Sequence, residues 1–141
     1  MSHKKFLLAA FFCGFIILSA AEVSTACVCD VRSVEKRTKE SQRVFVGTVI
    51  ERDRDSESDS WRVKLQIERY WKGDKTRELT IYTGPDDCSV WFEPGKKYLV
   101  FAYVDKENGR LETNACMGSG RVEFAEKDLK KLGKGRIPEN G

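Results

Sequence analysis

Histidine is nearly absent from this chain: His3 is the only one in 141 residues. It lies in the first segment, which has the marks of a removable leader, so a processed chain would hold no imidazole at all. That excludes Ser-His-Asp and Cys-His nucleophilic sites and any zinc site built with imidazole. Carboxylates are plentiful, with 22 Asp and Glu, but none stands in a recognisable catalytic motif. No catalytic residue is assigned, and the sequence argues against an enzyme. A single-sign charge tract is also missing, and a net charge of +3 in mixed order gives no reason to expect a nucleic-acid partner. Internal repeats and a second domain are not visible. No cofactor of the protein's own is expected.

What is present begins with a secretory pattern. His3, Lys4 and Lys5 form a basic start, an apolar run follows over 6–18, and small residues come next. The run is shorter than the roughly 20 apolar residues a membrane span requires. Ser19-Ala20-Ala21 and Ser24-Thr25-Ala26 both fit a cleavage site, releasing chains that start at Glu22 or Cys27. Lipidation of Cys27 is a third possibility, although the usual Leu three residues ahead of the cysteine is missing. A membrane association is expected only in that case. With 1–26 taken as the signal peptide, 115 residues remain, enough for one compact domain. Lys4, Lys5 and Glu22 leave with the leader, so 23 basic residues face 21 acidic ones and the net charge becomes +2.

Cys13 leaves as well. Cys27, Cys29, Cys88 and Cys116 remain, and an even count behind a secretory leader implies two disulfides and an extracellular location. Of three pairings, Cys27–Cys29 would close a very tight ring and is set aside. Both others tie the start of the domain to its middle and its later part through long loops. In the chain-entropy picture each bridge contributes about 4 kcal/mol at most. Cys-x-Cys also occurs in redox and metal sites, but an oxidising compartment and the missing histidine argue against that here.

In chain order, Val31, Val34 and Thr38 recur at helical spacing among Lys and Glu, predicting a modest amphipathic helix over 30–42. The β-branched run 44–50 predicts a strand buried on both faces, with Gly47 marking a bulge or bend. A charged loop is expected over 52–60. Trp61, Val63, Leu65 and Ile67 alternate with Arg62, Lys64 and Gln66, as in a half-buried antiparallel strand. Tyr70 to Gly73 ends it. A short strand over 79–83 leads to a turn at Gly84-Pro85-Asp86-Asp87, a brief strand at 89–92 and another turn at 93–96. The strongest apolar run, 97–104, predicts a central strand. Asn108-Gly109 marks a hairpin, 111–117 a last strand carrying Cys116, and 123–132 a helix capped by Gly133, with a loose tail beyond. Mainly β structure with bends and flanking helices favours a small closed Greek-key barrel of the oligonucleotide/oligosaccharide-binding (OB) type. Trp61, Trp71 and Trp91 are expected to pack at barrel ends rather than to stack on bases or sugars.

Several features together resemble the netrin-like domain, and within it the N-terminal domain of tissue inhibitors of metalloproteinases. These are Cys27-x-Cys29 directly after a leader, the 44–49 strand with its charged loop, and Trp71-Lys72-Gly73. Cys88 after the third strand, Gly95 ahead of Tyr98-Leu99-Val100-Phe101, and Cys116 after Leu111-x-Thr113 complete the set. The resemblance spans 27–141. It implies an OB-type barrel and the pairings Cys27–Cys88 and Cys29–Cys116. It implies a monomeric secreted inhibitor whose partner is a secreted zinc metalloprotease. In that family the α-amino nitrogen and carbonyl oxygen of the first cysteine, here Cys27, chelate the zinc of the target protease and displace its water. The second residue, here Val28, enters the pocket for the substrate side chain beyond the cut bond. Cys29 and Asp30 would follow along the cleft, and Asp86, Asp87 and Cys88 would form a second edge. Unlike the animal inhibitors, this chain has no third disulfide in the domain and no cysteine-rich second domain, and Asp30, Val31 and Arg32 replace their Pro and His. The alternative is a secreted or lipid-anchored netrin-like module that recognises a protein or glycan without inhibiting anything.

Overall fold

The computed structural model describes residues 26–30 and 32–139. The leader before Ala26, Cys13 and Val31 lie outside the described residues. Within them, β1 (Arg43–Arg54) and β2 (Trp61–Lys72) form a long antiparallel hairpin. β3 (Glu78–Thr83) pairs antiparallel with β2, and β4 (Lys97–Val104) pairs antiparallel with β1. The two-residue β5 (Leu111–Glu112) bridges β4 and β3, antiparallel to the first and parallel to the second. The order β1-β2-β3-β5-β4 therefore returns to β1 and closes a five-stranded OB-like Greek-key barrel. A further short strand, β6 (Gly120–Arg121), extends beside β4.

Closure requires β1 to bend. Its register with β2 shifts at three places, one of them between Val46 and Gly47. A Cβ on Gly47 would stand 2.9 Å from the Gln66 carbonyl oxygen, so only glycine lets the two backbones approach there. As its composition predicts, the run is buried on both faces over 44–47 and again at Val49, but Ile50 is 44% exposed. Phe45 and Val49 join Val63, Leu65, Ile81, Phe92, Tyr98 and Val100 inside the barrel. Val44 and Val46 face outward, where with Leu99, Phe101 and Met117 they are covered by the helices.

The helices are α1 (Val34–Glu40) and α2 (Glu126–Leu132). α1 is shorter than the periodicity predicts. The Ser33 side chain accepts the Lys36 N–H and starts the helix there, while the chain before it is held by a disulfide. α2 is preceded by a 3-10 turn, Val122–Phe124, and ends at Gly133 in a positive-φ conformation. Four other expectations are corrected. β1 and β2 run on through part of the supposed loop and to Lys72, because cross-strand pairs such as Asp53–Arg62 hold charged residues in the ladder. Residues 89–92 form no strand; Val90 and Phe92 serve instead as inward anchors of a coil. The expected strand over 111–117 is only two residues long before a 3-10 turn at Ala115–Met117. Among the described residues the tail is not loose at Arg136, which exchanges two backbone hydrogen bonds of 2.8 Å with Tyr70.

Candidate functional site

Two disulfides hold the 27–29 segment onto the barrel. Cys27 pairs with Cys88 and Cys29 with Cys116, across 61 and 87 residues of sequence. The bridges pack against each other: the Cys27 Sγ lies 3.6 Å from that of Cys116 and 3.7 Å from that of Cys29. The Sγ atoms of Cys27, Cys88 and Cys116 fall within 4.8 Å of one another, as metal-binding thiolates would. All three are consumed in disulfides, and none is a free thiolate. The bridged cysteines are compatible with an extracellular location. Between the two anchors Val28 is 90% exposed. An apolar side chain pinned from both sides and held out in solvent is the most unusual feature of this end of the molecule.

The receiving positions are themselves fixed. Cys88 sits in a turn where the Asp86 carboxylate accepts the Cys88 N–H at 2.9 Å and the Asp86 carbonyl accepts the Ser89 N–H at 3.0 Å. The Cys88 carbonyl accepts the Ala115 N–H at 2.8 Å, so the two anchor segments are tied directly to each other. Beyond Cys88, the Tyr98 hydroxyl donates to the Trp91 carbonyl at 2.8 Å and accepts the Glu93 N–H at 2.9 Å. Cys116 lies in the Ala115–Met117 turn, whose start is capped by the Asn114 side chain and whose end is Gly118 at φ 80°. Beneath it the Thr113 and Ser119 hydroxyls, 2.7 Å apart, both reach the Phe101 backbone from buried positions.

The structure brings Cys27, Cys29, Cys88 and Cys116 into one cluster, with Val28 held out between the first two. Asp86 and Asp87 are exposed on the turn ahead of Cys88, and Asp30 is exposed just after Cys29.

Three arrangements near this end were not legible in the sequence. Arg37 of α1 is 7% exposed. Its guanidinium stacks 4.6 Å from the centre of the Phe101 ring, pairs with Asp128 of α2 at 2.8 Å, and donates to the Met117 carbonyl at 3.4 Å. It joins both helices to the turn that carries Cys116. Arg52 packs against both Trp61 and Trp91, 4.5 and 3.6 Å from the ring centres, while the two rings meet edge-on at 5.7 Å, and it donates to the Phe92 carbonyl at 3.2 Å. This links the β1–β2 hairpin to the coil after Cys88. Trp61 is half-buried as expected, but Trp91 is 58% exposed. Finally, Arg110 from the β4–β5 turn pairs with Asp55 at 2.7 Å, donates to Ser58, and covers the Tyr82 ring. The β1–β2 and β4–β5 loops are thereby tied to each other. The Ser58 hydroxyl and then the Arg110 guanidinium hold the Asp55 carboxyl below its ordinary range.

Neither a comparison with protein-family models nor one with curated proteins finds a match for this chain.

Proposed function

We propose that the protein is a secreted inhibitor of zinc metalloendopeptidases that acts through the amine and carbonyl of Cys27 once the leader has been cut after Ala26. One observation carries this reading: Cys27, Val28 and Cys29 are held on the barrel by two packed disulfides while the Val28 side chain stays 90% exposed. A rigid, protruding tripeptide loses little conformational freedom on entering a cleft, which favours affinity. Its new α-amino group, with an ordinary pKa of about 8, could lose its proton to the competing metal and bind the target's zinc. The Cys27 carbonyl would complete the chelate and displace the water that attacks substrate. Val28 would fill an apolar pocket, with Asp30 along the cleft and Asp86, Asp87 and Cys88 alongside.

The test is a single alanine inserted before Cys27 in the processed protein. It moves the free amine one residue away and leaves both disulfides in place. Inhibition of a panel of zinc proteases should vanish; retained potency would eliminate the chelation mechanism. Val28→Gly should weaken inhibition by about 1–3 kcal/mol, the range for losing a small apolar group from a pocket, with no change in unfolding midpoint. Equal potency would remove the pocket role.

A second reading, a glycan-binding module that never touches zinc, draws support from Trp91, 58% exposed and stacked on Arg52. That reading expects the alanine-extended protein to behave as the parent and Trp91→Ala to lose binding.

A further inference from the structure

α1 and α2 leave a groove between them on the outer wall of the barrel, with a volume of about 500 Å³. Its apolar lining comes from Val34, Trp71 and Leu132, and its cations are Lys39, Lys72 and Lys131. Glu35 is the one carboxylate there. The groove is rigidly built. The Trp71 indole N–H donates to the Gly133 carbonyl at 3.1 Å, and Lys72 Nζ donates to the Thr38 and Lys39 carbonyls at 2.9 and 3.0 Å, closing the end of α1. Lys39 and Lys131 are exposed, and among the described residues neither is paired with a carboxylate.

We infer that this groove docks an acidic segment of a partner protein, with an apolar side chain set against Trp71 and flanking carboxylates reaching Lys39 and Lys131. Charge complementarity requires an anionic occupant, since three cations surround one acid. The apolar floor favours a peptide over a sulfated glycan, which would use the cations and leave Trp71, Val34 and Leu132 unmatched. Rim charges of this kind steer association and set its salt dependence. None of the groove residues belongs to the 27–30 or 84–88 segments, so the inference is independent of the amine chemistry proposed above.

The probe is an acetylated, amidated hexapeptide, EELFEE, titrated into the processed full domain at low salt. The readout is the Trp71 indole N–H resonance, assigned with Trp61→Phe and Trp91→Phe variants. Saturable movement of that resonance is expected, with affinity falling about tenfold or more in Lys39→Glu/Lys131→Glu and on replacing the peptide's glutamates by glutamines. Lys39→Ala/Lys131→Ala, which introduces no repulsion, should weaken binding by a smaller factor and keep the parent's unfolding midpoint. No saturable shift, or equal affinity in both double variants, overturns the inference. So does a heparin-derived hexasaccharide or an anionic lipid vesicle that moves the Trp71 resonance when the peptide does not.

Discussion

Arg37 shows how much of this molecule rests on a single side chain. It is nearly buried, yet its charge is met by Asp128, the Phe101 ring and the Met117 carbonyl. Removing one partner of such a pair leaves the other without compensation, and the half-exposed Asp128 limits the loss. Arg37→Ala should lower stability by about 2–4 kcal/mol, read from the urea midpoint, and the same change in an Asp128→Asn background should cost less. Equal losses in both backgrounds would mean the ion pair contributes nothing. Gly118 belongs to the same site. Its φ is 80°, and a Cβ there would overlap the Arg37 guanidinium. Gly118→Ala therefore combines backbone strain with displacement of Arg37, and a loss of about 2 kcal/mol or more is expected. A neutral outcome would show that the turn carrying Cys116 can relax. From sequence, Arg37 looked like one more charge on a polar helix, because nothing local distinguishes a cation that a distant aspartate will bury.

The tie between the β1–β2 and β4–β5 loops belongs to the scale of elements. Arg110 holds Asp55 and Ser58 together and covers Tyr82. Because the folded Asp55 carboxyl lies below its ordinary value, its contribution is complete above about pH 4. It is lost as pH falls through the depressed folded pKa. Carbon-13 NMR should find Asp55 titrating below the ordinary range in the parent and moving up toward it in Arg110→Gln. An identical titration in both would sink the assignment of Arg110 as a cause. In that variant the hairpin tip should also exchange its Asp55 amide, now bonded to the Ser60 carbonyl at 2.8 Å, faster than in the parent. The strands themselves were legible wherever alternation or β-branched runs declared them, as over 61–67 and 97–104. The extensions of β1 and β2 were not. Charged residues such as Arg52 and Asp53 read as loop until cross-strand partners hold them in register.

At the scale of the whole molecule, two long-range bridges and one closed barrel share a single end. The Cys29–Cys116 bridge spans 87 residues, so Cys29→Ser/Cys116→Ser should lower stability by about 2–4 kcal/mol. It should do so while Cys27–Cys88 still forms, as an intact-mass measurement with alkylation would show. The same variant loosens one side of the 27–29 segment. Under the proposed chelation mechanism it should therefore lose inhibitory potency beyond any loss of folded protein. Potency unchanged per folded molecule would mean that rigidity of the segment is not what the second bridge supplies.

The sequence alone determined that the domain is small and mainly β with two disulfides, and it favoured a closed barrel, because hydrophobic alternation, cysteine number and turn residues are local or countable. It also marked the Cys27-Val28-Cys29 segment as the place to look. Which cysteine meets which was left between two patterns by the residues themselves, and the structure has the pairing that the family resemblance implied. Tertiary structure decided the rest: the burial of Arg37, the packing of Arg52 on two tryptophans, the closing of the loops by Arg110, and the cationic groove over Trp71. Each depends on side chains far apart in sequence meeting in space, and pairwise electrostatics of that kind leaves no periodic trace along the chain.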